Sequence, residues 1–84
     1  MYLIIISPKA RKRIKEMSRR HQEIIGEIVK ELQEDPLSMG KPLTRNLTGR
    51  FSYRIGVYRI IFKINLEDKI VNILTAGHRA TVYD

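Results

Sequence analysis

Basic side chains recur at alternate positions along two consecutive β-rich stretches of the chain. Arg50, Ser52 and Arg54 share one face of the first stretch. Arg59 and Lys63 share the corresponding face of the second stretch. Guanidinium groups this close together repel one another unless an anion lies between them, and their planar forks match a phosphate group through paired hydrogen bonds. The spacing therefore predicts a phosphate-binding face on two neighbouring strands.

The sequence around this face lacks opposite charge. No Asp or Glu occurs in residues 36–66, although the whole chain carries 9 of them against 16 Lys and Arg. Arg79 and Tyr83 follow the last predicted strand and are placed to close the rim of the same site. A single arginine on a solvated strand is usually inert. The joint pattern of Arg54, Arg59 and Arg79 instead favours an anion site.

Hydrophobic periodicity predicts the elements that position these residues. Residues 2–6 form a short apolar run that is typical of a buried strand. Ser7 and Pro8 suit the N-cap and the first position of a helix, and a narrow apolar stripe at helical spacing follows them. A second helix is expected from about His21 to Glu34. Because the two helices are close in sequence, we expect an antiparallel hairpin.

The segment after the second helix is expected to be a long loop. Asp35-Pro36 ends the helix, and Pro and Gly punctuate residues 36–49. A loop of this length in a compact domain is a candidate functional segment. Three of its apolar residues are expected to hold it against the core: Leu37, Leu43 and Leu47.

Three closely spaced strands are predicted next, over residues 50–55, 57–64 and 70–76. The aromatic and apolar residues that alternate along these strands need burial on one face of the sheet. The apolar stripes of the helical hairpin can cover that face. The element order is therefore βααβββ, and we expect one α+β domain over residues 1–84. The expected architecture is a small antiparallel four-stranded sheet with the N-terminal helical hairpin on one face.

Composition excludes several classes of protein. With 84 residues there is room for one core. The absence of Cys excludes disulfides, thiolate metal sites and a cysteine nucleophile, and two His make a histidine-rich metal cage unexpected. No apolar run approaches the ~20 residues of a membrane span. We therefore expect a cytoplasmic protein with no metal, no cofactor and no membrane partner.

The positive charge is segregated along the chain. The whole chain has a net charge of +7, and residues 21–35 carry −4 of it. The remaining 69 residues therefore carry +11. A pI near 10.1 indicates a polyanionic partner. The first helix contributes a basic outer face, which is either a solubilising surface or a nucleic-acid docking surface. Its basic residues are Lys9, Arg11, Lys12, Arg13 and Lys15.

Two stretches of the sequence resemble a known family. Residues 49–62, Gly-Arg-Phe-Ser-Tyr-Arg-Ile-Gly-Val-Tyr-Arg-Ile-Ile-Phe, are similar to the central hairpin of the RelE/ParE toxin superfamily. Residues 77–83, Gly-His-Arg-Ala-Thr-Val-Tyr, are similar to the C-terminal ending of its RelE-like branch. The length, basic charge and element order agree as well, so the resemblance covers nearly the whole chain.

The resemblance implies the toxin of a type II toxin–antitoxin pair. RelE-like members cleave mRNA in the ribosomal A site without a metal, and a RelB-like antitoxin blocks them. The implied partners are therefore a cognate antitoxin, mRNA and a 70S-type ribosome, whose RNA the basic first helix would face. By position, Arg54, Arg59 and Arg79 match the basic site residues of the family. Tyr83 matches the C-terminal tyrosine of the family, and His78 lies at a position whose residue type varies between relatives.

The implied reaction is attack of a 2′-hydroxyl on the adjacent phosphate. Arg59 and Arg79 would stabilise the charge that develops on the phosphorane, while Arg54 holds the RNA backbone. The proton carrier is left open between Tyr83, whose ordinary pKa is about 10, and His78, whose ordinary pKa is about 6.5. The expected RNA contacts extend to Arg50, Ser52, Arg54 and Lys63 and to the basic residues of the first helix.

Two other functions remain compatible with the sequence. One is a ParE-like DNA gyrase inhibitor of the same fold, although such relatives usually have a longer helical hairpin and lack the ending from Arg79 to Tyr83. The other is a catalytically degenerate homologue that binds only RNA or the antitoxin. Inhibition of supercoiling would favour the first, and loss of cleavage with retained binding would favour the second.

Overall fold

A computed structural model of the protein describes residues 1–42 and 49–78, with His78 described at the backbone only. Four elements lie in the first half of the chain: β1 (Leu3–Ile6), α1 (Pro8–Lys15), α2 (Arg19–Glu34) and α3 (Pro36–Met39). Four strands follow: β2 (Lys41–Pro42), β3 (Arg50–Ile55), β4 (Tyr58–Asn65) and β5 (Ile70–His78). The predicted α+β class is confirmed.

The sheet is mixed and has five strands in the order β1-β5-β4-β3-β2. The prediction of a four-stranded antiparallel sheet is wrong in two details. First, β1 pairs with β5 in parallel, because the two helices carry the chain across one face before the antiparallel β3–β4–β5 meander begins. Second, the sheet has a fifth strand, because the segment expected to be a loop contains α3 and the two-residue edge strand β2. That strand includes Pro42 and is too short to show any alternation.

Ser7 fastens the start of the first helix to the sheet. Its hydroxyl accepts a hydrogen bond from the Ala10 amide (3.1 Å) and donates one to the Leu74 carbonyl (2.8 Å). Its own amide donates to the Ile73 carbonyl at 3.0 Å. The predicted N-cap is confirmed, and the cap also fixes α1 against β5.

The second helix begins two residues earlier than expected. Ser18 is its N-cap and accepts a hydrogen bond from the His21 amide at 3.3 Å, so Arg19 and Arg20 form the first turn of α2. The ring of His21 packs edge-on against Tyr58, with centroids 5.3 Å apart and an interplanar angle of 85°. This aromatic contact ties the start of α2 to the start of β4.

The core lies between the helices and one face of the sheet. On the sheet side, Ile60 and Phe62 are fully buried, which confirms the predicted alternation of β4. The helices and β5 complete the cluster with Ala10, Ile25, Ile28, Leu32, Val71, Ile73 and Ala76. Leu37 is 52% exposed and does not hold the loop against the core, whereas its neighbour Pro36 is buried. Leu43 and Leu47 lie outside the described residues.

Gly40 allows the chain to approach two stacked phenylalanines. The rings of Phe51 and Phe62 lie 5.7 Å apart at 18°. A Cβ at Gly40 would stand 2.6 Å from Phe62 Cζ and 3.0 Å from Phe51 Cβ. Because φ of Gly40 is −93°, packing rather than backbone strain excludes a larger residue here.

Replacing Gly40 with alanine is expected to lower the free energy of unfolding by about 1–3 kcal/mol, the usual range for overpacking a core. Chemical denaturation measures the effect. Gly26→Ala is the matched control, since Gly26 lies inside α2 with no atom within 4 Å of an added Cβ. The control should stabilise the protein by about 0.5–1 kcal/mol. Equal stability of Gly40→Ala and the wild type would contradict the packing argument.

Candidate functional site

The pairing of β3 with β4 brings the predicted basic residues to one face of the sheet. Arg54 lies directly opposite Arg59, and Arg50 lies directly opposite Lys63. Ser52 pairs with Ile61 between them. Paired residues of antiparallel strands point to the same side, with Cβ atoms about 4.5–5.5 Å apart. The neighbouring positions in β4 are buried under the helices, so this face points away from them. We call it the arginine face.

A tight turn sets the register of the arginine face. Ile55 pairs with Tyr58, so Gly56 and Val57 form a two-residue connection. Gly56 has φ of +57°, a left-handed value that glycine adopts without steric cost. Glycine at the first central position is the pattern of a type II′ hairpin turn, and this turn places Arg54 against Arg59.

The charge of Arg54 disfavours the charge of its cross-strand partner Arg59. Arg54 is exposed and Arg59 is half-buried. Burial, and then the nearby charge of Arg54, lower the pKa of the Arg59 guanidinium. Arginine nevertheless stays protonated in proteins, so the site keeps both charges. An anion bound between them would relieve the repulsion, which makes this pair a suitable phosphate clamp.

The fifth strand continues the arginine face on the other side of β4. Arg59 pairs with Gly77, and Ile61 pairs with Thr75. Thr75 is 6% exposed, and its Oγ1 has no hydrogen-bond partner within the described part of the chain. The sequence analysis missed this residue, because one threonine in an apolar strand produces no periodic signal.

Three of the four predicted catalytic residues fall at the end of the chain. The backbone of His78 pairs with Tyr58 at the end of the β4–β5 ladder. Arg79 and Tyr83 lie outside the described residues. Arg59 is therefore the catalytic candidate whose surroundings the structure defines.

The basic surface of α1 is separate from the arginine face. Lys9, Arg11, Lys12 and Lys15 are exposed and Arg13 is half-buried. Helix α1 packs with Ala10 on the core side of the sheet, whereas the arginine face is on the other side. The structure thus places the two predicted groups of basic residues on opposite sides of the molecule.

Metal-binding clusters and membrane-spanning helices are both missing from the described residues. Across residues 1–42 and 49–78, no group of three or more His, Asp or Glu side chains is arranged to hold a metal ion. Among the helices of the same ranges, none combines the length and apolar character needed to cross a bilayer.

Comparison with known proteins identifies the family. The family described as the ParE toxin of the type II toxin–antitoxin system parDE matches residues 4–83. Toxin RelG of Mycobacterium tuberculosis (strain ATCC 25618 / H37Rv) is 47% identical over 53 residues. That match covers 63% of this chain and 61% of RelG, so it spans less than two thirds of either protein.

Solved structures agree with this family at the level of the fold. The toxin–antitoxin complex RelBE2 of M. tuberculosis contains a chain with 35% identity and a TM-score of 0.88, and the match covers 93% of this chain and 98% of that one. The isolated E. coli RelE toxin is 15% identical with a TM-score of 0.78, covering 99% and 89%, and shows the fold alone. The chain therefore belongs to the ParE toxin family of type II toxin–antitoxin systems, within the RelE/ParE superfamily.

Proposed function

We propose that this protein is a type II toxin that cleaves mRNA on the ribosome. The observation that carries the proposal is the direct pairing of Arg54 with Arg59 on a face that the helices leave uncovered. Burial, and then the charge of Arg54, lower the pKa of Arg59, and a bound anion would offset the repulsion between the two guanidinium groups. A phosphodiester is one of the anions whose geometry matches a guanidinium fork. Membership of the toxin family supports this assignment.

In the proposed reaction the arginines of the site have two roles, stabilising the phosphorane and holding the RNA backbone. The 2′-hydroxyl of one nucleotide attacks its adjacent phosphate, forming a 2′,3′-cyclic phosphate and releasing the 5′-hydroxyl of the next nucleotide. Arg59 and Arg79 hydrogen-bond the non-bridging oxygens as negative charge grows on the phosphorane. Arg54 holds the neighbouring backbone. No metal is required for this route, because the arginines provide the charge stabilisation.

Two residues are candidates for moving the protons. A base must take the proton of the 2′-hydroxyl, and an acid must protonate the leaving 5′-oxygen. Arginine cannot serve as the base, because it does not release its proton in proteins. Tyr83 could act only if nearby positive charge lowers its pKa from the ordinary value of about 10, whereas the ordinary pKa of a histidine such as His78, about 6.5, already suits proton transfer.

The proposed partners occupy different surfaces. The mRNA binds the arginine face, including Arg50, Ser52 and Lys63, and the basic surface of α1 contacts ribosomal RNA. An antitoxin of the RelB kind blocks the toxin. Solved relatives support this partner, since RelBE2 of M. tuberculosis, RelE–RelB of Pyrococcus horikoshii and RelBE of E. coli are each described as complexes.

Removing either arginine that stabilises the phosphorane is expected to reduce cleavage on the order of 10²–10³-fold, as loss of one oxyanion donor does elsewhere. The variants are Arg59→Ala and Arg79→Ala, and the measurement is the mapping of mRNA 5′ ends on translating ribosomes. Lys30→Ala is the control, because it removes one exposed positive charge from α2, away from the arginine face. Its cleavage rate should match the wild type.

The same preparations test the alternatives. Cleavage that is unchanged in both arginine variants would refute the catalytic role of Arg59 and Arg79, and absence of cleavage by the wild type would refute the nuclease assignment. Inhibition of DNA gyrase supercoiling by the wild type at low molar excess would identify a ParE-like gyrase inhibitor instead. RNA binding without cleavage in the wild type would identify a catalytically degenerate homologue.

The proton carrier can be assigned from the pH dependence of cleavage. If His78 moves the proton, the single-turnover rate of the wild type should show a break near pH ~6.5 that is lost in His78→Gln. Tyr83→Phe should then keep the break. A wild-type profile with no break in this region eliminates His78 and leaves Tyr83 as the carrier.

Arg54→Gln is expected to stabilise the free protein while weakening its response to phosphate. Like charges directly opposite each other in a sheet destabilise it by up to about 1 kcal/mol, so the free variant should unfold at a higher denaturant concentration. Added inorganic phosphate should stabilise the wild type more than the variant, relative to chloride at equal ionic strength. Equal stabilisation of both proteins by phosphate would contradict an anion clamp at this pair.

A further inference from the structure

Thr75 is an anomaly of the fold next to the arginine face. Its side chain is almost completely buried, at 6% exposure, and its Oγ1 has no hydrogen-bond partner among the described residues. Leaving a buried hydroxyl unpaired costs free energy, and nearly all buried polar groups in native proteins have a hydrogen-bond partner from the protein, from water or from a ligand. The residue is therefore a candidate for a partner that arrives with the substrate.

The register of β4 and β5 places Thr75 beside the clamp. Arg59 pairs with Gly77, and Thr75 is two positions before Gly77 on the same strand. Residues two apart in a strand share a face, and diagonal cross-strand neighbours lie about 7–8 Å apart. Gly77 contributes no side chain between Arg59 and Thr75. A phosphate held by Arg59 would thus lie within reach of the hydroxyl.

A β-bulge fixes the position of this hydroxyl. The register shifts immediately beyond the Ile61–Thr75 pair, because Phe62 pairs with Ile73 and leaves Leu74 as the extra residue. Ser7 holds the bulge through its hydroxyl on the Leu74 carbonyl (2.8 Å) and its amide on the Ile73 carbonyl (3.0 Å). Bulges occur beside active sites, where they redirect side chains. Here the bulge and the N-cap of α1 together set the position of Thr75.

We propose that Thr75 Oγ1 donates a hydrogen bond to a non-bridging oxygen of the phosphate that Arg54 and Arg59 bind. The inference rests on the proposed RNA site and adds a binding residue to it. A neutral hydroxyl supplies a directional donor without adding to the repulsion between the arginines. Because the hydroxyl is buried in the free protein, the side chains that cover it must move before the phosphate can reach it.

The test compares two substitutions that separate the hydroxyl from the shape of the side chain. Thr75→Val removes the hydroxyl, and Thr75→Ser keeps it. The probe is a short single-stranded RNA with 2′-O-methyl groups, which blocks attack by the 2′-hydroxyl, and binding is measured by fluorescence anisotropy. Thr75→Val should raise Kd by about tenfold to a hundredfold, the effect of losing one hydrogen bond to a charged group. Thr75→Ser should stay within about threefold of the wild type, the margin of a retained donor.

Salt dependence distinguishes a direct hydrogen bond from an indirect effect on the arginines. For single strands the slope of log K against log salt changes by about 0.7 for each phosphate that the protein no longer neutralises. Arg59→Ala should reduce the slope by about this amount, whereas Thr75→Val should weaken binding at every salt concentration without changing the slope. A reduced slope in Thr75→Val would mean that the threonine only supports the arginines, which overturns the proposal.

The remaining outcomes are also decisive. Unchanged affinity in Thr75→Val, with weakened binding in Arg59→Ala, would identify an inert buried hydroxyl and leave the RNA site intact. Unchanged affinity in both variants would refute the RNA site itself. If valine at this position prevents folding, Thr75→Ala replaces it with the same expectations, because it also removes the hydroxyl.

Discussion

Burial of alternate residues in β4 is the constraint on which the rest of the structure depends. Ile60 and Phe62 are fully enclosed, and burying such side chains is worth roughly 1.5–3 kcal/mol each. The like charges of Arg54 and Arg59 cost at most about 1 kcal/mol. The hydrophobic term is larger, so the hairpin keeps its register and holds two cations opposite each other. A slip of one residue would turn the arginines into the core.

Much of the fold follows from this pattern and could be predicted from the sequence. Alternation predicts β3 and β4 because each has one covered side, and the Ser7-Pro8 pair predicts the start of α1 through its local hydrogen bonds. The parallel pairing of β1 with β5 could not be predicted, since it depends on how the helices cross the sheet. The strand formed by Lys41 and Pro42 is too short for any periodic signal.

The candidate site likewise contains residues that the sequence could predict and one residue that it could not. Arg54 and Arg59 could be assigned to one face because period-two spacing determines it. The position of Arg79 and Tyr83 after the last strand placed them at the rim, and the resemblance to a family supported both residues and His78. Thr75 could not be found, because an unpaired hydroxyl is a property of three-dimensional packing. Its signal emerges only where the β4–β5 register shift and the burial of Oγ1 are seen together. The alternating sequence pattern therefore locates the charged residues of the site, whereas the unpaired hydroxyl of Thr75 is found only from the tertiary structure.

The separation of the two basic surfaces has a consequence for control of the protein. The arginine face and the exposed lysines of α1 lie on opposite sides of one thin sheet, so a flat partner can mask one side at a time. An inhibitor that covers only the arginine face would block the proposed RNA site yet leave the other side attracted to polyanions. Blocking the arginine face and screening the basic surface of α1 are thus physically distinct events. Only a partner that encircles the domain achieves both.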